Sequence, residues 1–439
     1  MTEVPSVSRH RRILALAVPA VATLVADPLL GAVDTAVAGR IGATELGALG
    51  LAVGALTALT WIFNFLVIGT TTTVAHAIGR GDHEAAGRRV VHAAVAALAI
   101  GVVAAVVLGV GAPWLIRLFQ PVPELVAPAV DYLRVRAVGV PFLLLGYVGH
   151  GAFRGVADTR TPLLVVIGAN VLNAALDIVL VFGFGFGLEG IAWATVAAEV
   201  VAVVLFAFLI ARAGLPLTGH GIPNSVQINA LVIVSRDLVM RTGGLLLGFL
   251  AITAAAARTD AVTAAAHQVI WQVYLLVSFL MDGFAIAAQA MIGKALGAGD
   301  EDEARAAGND LLRWGMGGGA VLAVLLLVGQ SVIAGVFTTN TAVLATIGTA
   351  WWLASIGHVI GGPVFVLDGV MMGAADYGYL RTWTVVAAVI GGVLAQVGAS
   401  LGAGLLWFWI AAEIMMVVRG VSLLLRLRGR AWLQGTAAA

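Results

Sequence analysis

The chain has 439 residues, of which 61% are hydrophobic and 11% charged, with a formal net charge of +1 and no cysteine. So little polar surface cannot solvate a globule of this size, which excludes a soluble enzyme and leaves a protein of the lipid bilayer. No stretch between the apolar runs is long enough to form a nucleic-acid-binding domain, and without cysteine there is no disulfide or thiolate metal site.

Apolar runs of about twenty residues or more, the length that crosses about 30 Å of hydrocarbon, recur from end to end. The alternating segments of an outer-membrane barrel are missing. In chain order the runs predict twelve spans: residues 13–38, 46–76, 89–111, 125–152, 161–183, 188–211, 228–256, 260–293, 306–330, 342–371, 380–402 and 404–425. The first follows Arg9, Arg11 and Arg12, contains Pro19 and two acids, and lacks a small-residue cleavage site. It therefore reads as a retained span and not a signal peptide. Lys and Arg concentrate before the first span and in the even-numbered connections, among them Arg80, Arg88, Arg89, Arg154, Arg160, Arg212, Lys294 and Arg305, whereas the odd-numbered connections hold only Arg40, Arg117 and Arg258. This bias predicts a multi-pass protein of the cell membrane with both termini cytoplasmic.

The cytoplasmic turns reveal an internal repeat. "AIGRGDHEAAG" (77–87) answers "ALGAGDEDEARAAG" (295–308), and "HGAFRGVADTR" (150–160) answers "DGVMMGAADYG" (368–378), both at an offset of 218 residues. Six spans per half is an even number, so the halves share one orientation. The expected fold is an all-α polytopic membrane protein, with twelve transmembrane helices in two six-helix lobes related by a pseudo-twofold axis along the membrane normal. The lobes are 1–212 and 228–439, joined by a cytoplasmic linker at 213–227 that carries Pro216, Gly219, Gly221 and Pro223. The natural substrate path of such a repeat runs between its halves.

Two motifs invite sharper readings and lose them. "GAGD" (297–300) fits the GxGD signature of intramembrane aspartyl proteases, but Glu301, Asp302 and Glu303 follow it and its twin "GRGD" (79–82) occupies the same turn of the first half. Each reads as a glycine terminator followed by an aspartate N-cap. "GFGFG" (183–187) has no partner that would make it a phosphate loop. No catalytic residues and no metal site emerge, so no enzyme is expected.

Ionisable and polar groups inside spans then carry the functional information, because an acid at the centre of a spanning helix costs about 2.5 to 3.5 kcal/mol on insertion scales. Asp34 of span 1, Asp177 of span 5 and Thr195 of span 6 reach one level, and Asn173 shares the face of Asp177 one turn away. Static helix pairing would account for Asn173 and Thr195 alone. Two acids at one level without a nearby Lys or Arg point instead to proton carriers. Asp27, two turns deeper than Asp34, is a candidate second proton site or a polar cap on the kink at Pro28. Pro19 and Pro28 each remove a backbone hydrogen bond and give span 1 places to bend.

By the repeat, Asp282 and Asp368 fall on Asn64 and His150, four polar positions expected to frame a cytoplasmic gate or to pair helices statically. Glu413 falls on Thr195, with Glu199 one turn beyond Thr195, and both are candidates to line the cavity. Trp61, Trp193, Trp271, Phe63 and Phe65 offer faces to a flat apolar ligand or serve as packing.

"VPAVATLVADPLLGAVDTAVAGRIG", "NVLNAALDIVLVFG" and "LEGIAWATVAAE" resemble the multidrug and toxic compound extrusion (MATE) transporters, and "PLLGAVDTAVAG" with "FLMDGFAIAAQAMIG" resembles their DinF-like (DNA-damage-inducible protein F) branch. The resemblance covers essentially the whole chain. It implies a monomeric secondary antiporter without cofactor that exports lipophilic, often cationic small molecules by alternating access, driven by protons, with sodium as the other coupling ion. It further implies that Asp34 is the coupling acid, that Asn173, Asp177 and Thr195 are the polar cluster of the first lobe, and that span 1 bends at Pro19. The acids that the sodium-coupled norfloxacin exporters carry early in the second half and deep in span 10 have no counterpart here. A flippase for a lipid or lipid-linked sugar is the alternative within the wider superfamily. Its anionic cargo would need a basic lumen, for which Arg134, Arg136, Arg236 and Arg241 are the available residues. A non-transporting membrane enzyme or receptor is the remote alternative.

Overall fold

Hydrocarbon contains no water to satisfy a backbone N–H or C=O, so a spanning segment must close its hydrogen bonds within itself. A computed structural model of the chain accordingly folds the apolar runs as helices; it describes residues 8–119, 121–218 and 225–433, the side chains of 27–29, 32, 58, 59, 61 and 225–231 excepted. The expectations for Asp27, Pro28 and Trp61 lie outside the described side chains.

The elements are α1 (Arg9–Ile41), α2 (Ala43–Thr60), α3 (Phe65–Gly79), α4 (His83–Leu118), α5 (Pro123–Gly155), α6 (Arg160–Asp177), α7 (Gly187–Arg212), α8 (Ser225–Ala257), α9 (Ala261–Gly297), α10 (Glu301–Phe337), α11 (Thr341–Gly373), α12 (Tyr377–Ser400) and α13 (Leu405–Arg428). No strand occurs among the described residues. Two predicted spans are not simple helices. The second is α2 and α3 joined by a 3₁₀ turn at Trp61–Asn64, and the fifth is α6 continued by a π-helical segment, Ile178–Gly183. Among the described residues, eleven helices are long and apolar enough to cross a membrane. The protein is an all-α, multi-pass membrane protein.

Packing divides the chain into two compact units, Ala22–Leu231 and Val232–Ala439 together with Met1–Val21. The sequence assigns residues 1–21 to the first lobe; by contact the described ones, 8–21, group with the second half. The first turn of α1 is tied there by Arg9, which donates to Glu303 and Asp310 of α10 at 2.7 Å each. Trp314 donates to His10 at 3.1 Å, and Gly283 of α9 leaves room for Val21 and the Ala17 carbonyl. α1 nevertheless runs as one helix through Pro19.

Each unit repeats the other's local geometry. Gly81 ends α3 at φ 74° and Gly299 ends α9 at φ 73°, a left-handed conformation that glycine adopts without penalty. Asp82 then caps α4 by accepting from the Ala85 N–H at 2.7 Å, and Asp300 caps α10 by accepting from Glu303 N–H at 2.9 Å. The two GxGD-like motifs are therefore helix terminators and caps. Gly151 and Gly155 of α5 lie against the carbonyls of Val67 and Thr71, and Gly369 and Gly373 of α11 lie against those of Ala285 and Gln289. Every one of these pairs is separated by the same 218 residues. The lipid-facing stripes repeat as well: Val103, Val106, Val107 and Val110 are exposed on α4, and Val321, Val324, Leu325 and Val328 on α10. Apolar residues at helical spacing with no protein over them face acyl chains.

Two alanines at equivalent turns, Ala157 and Ala375, hold φ of 62° and 57°. A left-handed non-glycine residue costs about 1–2 kcal/mol, and glycine there would recover that less about 0.4–1 kcal/mol of unfolded-state entropy. Ala157→Gly and Ala375→Gly should each raise the thermal midpoint of the detergent-solubilised protein without loss of folded yield. A lowered midpoint in both variants would show that the turns are not strained.

Candidate functional site

Within the unit Ala22–Leu231, the later turns of α1 bring Asp34 of the predicted cluster, the end of α6 brings Asn173 and Asp177, and the early turns of α7 bring Thr195. Asp34 is 8% exposed, while Asp177 and Asn173 are fully buried. Asp177 is the last residue of α6, and the π-helical segment begins immediately after it. Such one-residue insertions often accompany functional positions, because the widened turn frees local backbone and re-aims side chains.

The carboxyl groups of Asp34 and Asp177 lie within hydrogen-bond reach of each other. Among the described residues no donor reaches Asp34 Oδ1 or either oxygen of Asp177. An ionised carboxylate only accepts hydrogen bonds, whereas a protonated one can also donate. The contact is therefore attractive when the pair holds a proton, or when a cation lies against it, and repulsive when both groups are charged and bare. Asn173 Nδ2 donates to Thr195 Oγ1 at 3.1 Å, and Thr195 donates onward to the Ile191 carbonyl at 3.0 Å. Asn173 Oδ1 keeps no donor. The structure thus places all four residues in one unit, joined as two pairs linked by the single turn of α6 between Asn173 and Asp177.

One expectation is corrected. The acids are not remote from a base: Arg136 of α5 lies near enough to act electrostatically on Asp34. Its charge is already engaged, since Arg136 donates to both oxygens of Glu199 on α7 at 2.8 and 3.0 Å. Glu199, a candidate to line the cavity, is thus held in a two-pronged ion pair, and its carboxyl lies against Gly139. Tyr132, one turn before Arg136, is buried within electrostatic range of Asp34, Asp177, Arg136 and Glu199. Asn170 adds a tie between α6 and α1 by donating to the Ala26 carbonyl at 3.1 Å. Tyr132 and Asn170 escape sequence reasoning because neither is charged. Arg136 carried a visible signal, a base deep within a predicted span.

The remaining positions are dispersed. Asn64 is exposed at the end of the 3₁₀ turn, and His150 packs edge-on against Phe206 with ring centroids 5.0 Å apart. In the other unit Asp282 is half-buried, while Asp368 is buried between Arg241, at 2.5 Å, and Arg419. Glu413 of α13 is buried. No cluster of three or more His, Cys, Asp or Glu able to hold a metal occurs among the described residues.

The MatE family model matches residues 19–179 and 244–397. The chain belongs to the MatE family. It is 31% identical to the protein DETOXIFICATION 44, chloroplastic, of Arabidopsis thaliana, over 97% of this chain and 82% of that one. It is also 31% identical to DNA damage-inducible protein F of Escherichia coli (strain K12), over 96% of this chain and 92% of that one. The fold matches a solved structure described as MATE in the bent conformation, with a TM-score of 0.89 at 20% identity over 98% of this chain and 97% of the other. MATE proteins are multidrug efflux transporters that handle small molecules in the membrane and are not enzymes, and this one has a DinF relative over nearly its full length.

The Arg136 and Glu199 pair is the fixed electrostatic element beside the acids of this MATE protein. Removing one partner of a buried ion pair costs about 3–5 kcal/mol, whereas replacing both by apolar groups of similar volume is often neutral. Arg136→Met should therefore sharply lower thermal stability in detergent, and Arg136→Met combined with Glu199→Met should restore most of it. Equal losses in single and double variants would mean that the two side chains do not act as a pair.

Proposed function

We propose that this MATE transporter is a proton-coupled antiporter of the cell membrane that exports lipophilic, cationic small molecules as a monomer, with both termini cytoplasmic. The observation that carries this reading is the buried contact between Asp34 and Asp177, two carboxyls with no other donor. Proton and cationic substrate compete for the pair. A cation neutralises it in one phase of the cycle, and a proton from outside replaces the cation, so release of substrate is linked to entry of the proton. Once neutral, the pair no longer needs water, and the unit that holds it is free to change its surroundings. Asn173 and Thr195 hold the α6 to α7 side of the pair in place, and Pro19 supplies the compliant point of α1.

An anionic cargo is less well supported. The four arginines available to bind one are each matched by an acid: Arg134 with Asp131 at 3.7 Å, Arg136 with Glu199, Arg236 with Asp237 at 2.9 Å, and Arg241 with Asp368. The bacterial DNA damage-inducible protein F supports the cell membrane as the location, and the Lys and Arg bias supports the orientation.

Proteoliposomes loaded with a fluorescent organic cation test this function. Wild-type efflux should follow an imposed pH gradient, and Asp34→Asn and Asp177→Asn should fall to the rate of empty vesicles while still binding the dye at fixed pH. Efflux driven by a sodium gradient at constant pH, or undiminished efflux by both variants, would overturn the reading.

A further inference from the structure

The repeat maps the polar cluster of one unit onto the other, and the outcome is an exchange of roles. At the offset of 218 residues, Asp34 falls on Ile252, Asn173 on Gly391 and Asp177 on Ala395, so the acids and the amide are gone. Thr195 falls on Glu413, so the hydroxyl has become an acid. Arg136 falls on Ala354, so the neighbouring base is gone too. The second unit thus keeps one acid at the level of the cluster, moved from α1 and α6 positions to the final helix.

Glu413 is 7% exposed, and its Oε2 has no hydrogen-bond partner among the described residues. Its carboxyl is pressed against the Cα of Gly357 on α11, where any Cβ would collide with it. Glu413 lies within electrostatic range of Tyr274, one of four positions where the second unit replaces apolar side chains with polar aromatic ones: Leu49, Leu56, Val140 and Ile191 of the first unit answer to His267, Tyr274, His358 and Trp409. These rings form one group, with Tyr274 5.2 Å from His358 and 5.8 Å from Trp409, and His267 5.8 Å from Trp409, between centroids. His358 Nε2, His267 Nδ1 and Trp409 Nε1 also lack partners. Tyr274, Ser355 and His358 edge a cavity of about 10 Å³, enough for about one water molecule.

The charged and titratable groups on every element packed against α13 can be named. α9 offers His267, Tyr274 and Asp282, together with Lys294 near its end; α11 offers His358 and Asp368; α12 has only Arg381 as a charged group, beside Tyr377 and Tyr379 near its start. On α13 itself Arg419 is bound to Asp368 and Arg426 to Asp376 at 2.7 Å, with Arg428 at its end, while Arg381 of α12 is bound to Asp237 at 2.6 Å. No base forms an ion pair with Glu413 among the described residues. A buried carboxyl with no base paired to it, within electrostatic range of Tyr274, has the surroundings of a group that takes up and releases a proton.

We propose that Glu413 is a second proton-carrying carboxyl of this transporter, located in the unit that lacks the Asp34 and Asp177 pair, with Tyr274 as a polar neighbour. The step is a simple proton exchange between the carboxyl and water. The proposal extends the proton-coupling reading, and its test does not depend on transport. Infrared difference spectra of the purified full-length protein, recorded between high and low pH, report protonated carboxyl groups directly. Glu413→Gln should lose one carbonyl band that Asp34→Asn and Asp177→Asn retain, and Glu413→Asp should shift that band and not remove it. Tyr274→Phe should displace the pH at which it appears. Spectra of Glu413→Gln and Glu413→Asp that superimpose on wild type would overturn the proposal. Should only the bands of Asp34 and Asp177 prove silent, the coupling reading fails and the Glu413 site stands.

Discussion

A charge inside hydrocarbon has no water to turn to, so it must be neutralised by another side chain, by a proton or by cargo. Which acids are paired with a base divides what is fixed from what is left open. Glu199 is closed by Arg136, Asp368 by Arg241 and Arg419, and Asp237 by Arg381. These groups have lost their freedom to respond. Among the described residues, Asp34, Asp177 and Glu413 are the buried acids without a base as ion-pair partner.

The scaffold and the chemistry follow different symmetries. Glycines at close helix crossings, left-handed residues in the turns and aspartate caps are repeated in both units at one offset, because each is required by backbone geometry that both units share. The polar groups inside the helices are not repeated. Ile252 and Ala395 stand where Asp34 and Asp177 would be, and Glu413 stands where Thr195 would be. A helix buries an isoleucine or an aspartate with the same backbone, so nothing in the fold forces the acids to be duplicated.

The same distinction explains what was legible in the sequence. The helices, the repeat and the turns are local properties: hydropathy over about twenty residues marks a span, and Gly81-Asp82 or Gly299-Asp300 marks a terminator and cap. The cluster of Asp34, Asn173, Asp177 and Thr195 was legible because depth along a span can be counted from its ends. The partner of Arg136 was not legible, since Glu199 lies 63 residues away on another helix and no local pattern links them. Likewise nothing in "LTWIFNF" or "LDIVLVFG" distinguishes a 3₁₀ turn or a π segment from continuing α-helix, because the difference arises from packing. The grouping of residues 8–21 with the second half was invisible for a similar reason: Arg9 finds Glu303 and Asp310 only in three dimensions.

The left-handed alanines carry a consequence for the history of the chain. A strained residue is an arbitrary feature, since glycine would serve each turn better, yet Ala157 and Ala375 occupy equivalent turns in the two halves. The shared left-handed turn follows from the common geometry, whereas the choice of alanine in both is what descent of the halves from one six-span unit would leave. Features held by one half only, the aspartate pair and the lone glutamate, mark where the copies parted. The architecture is then the inheritance, and the division of acids between the halves is the work of divergence after they were joined.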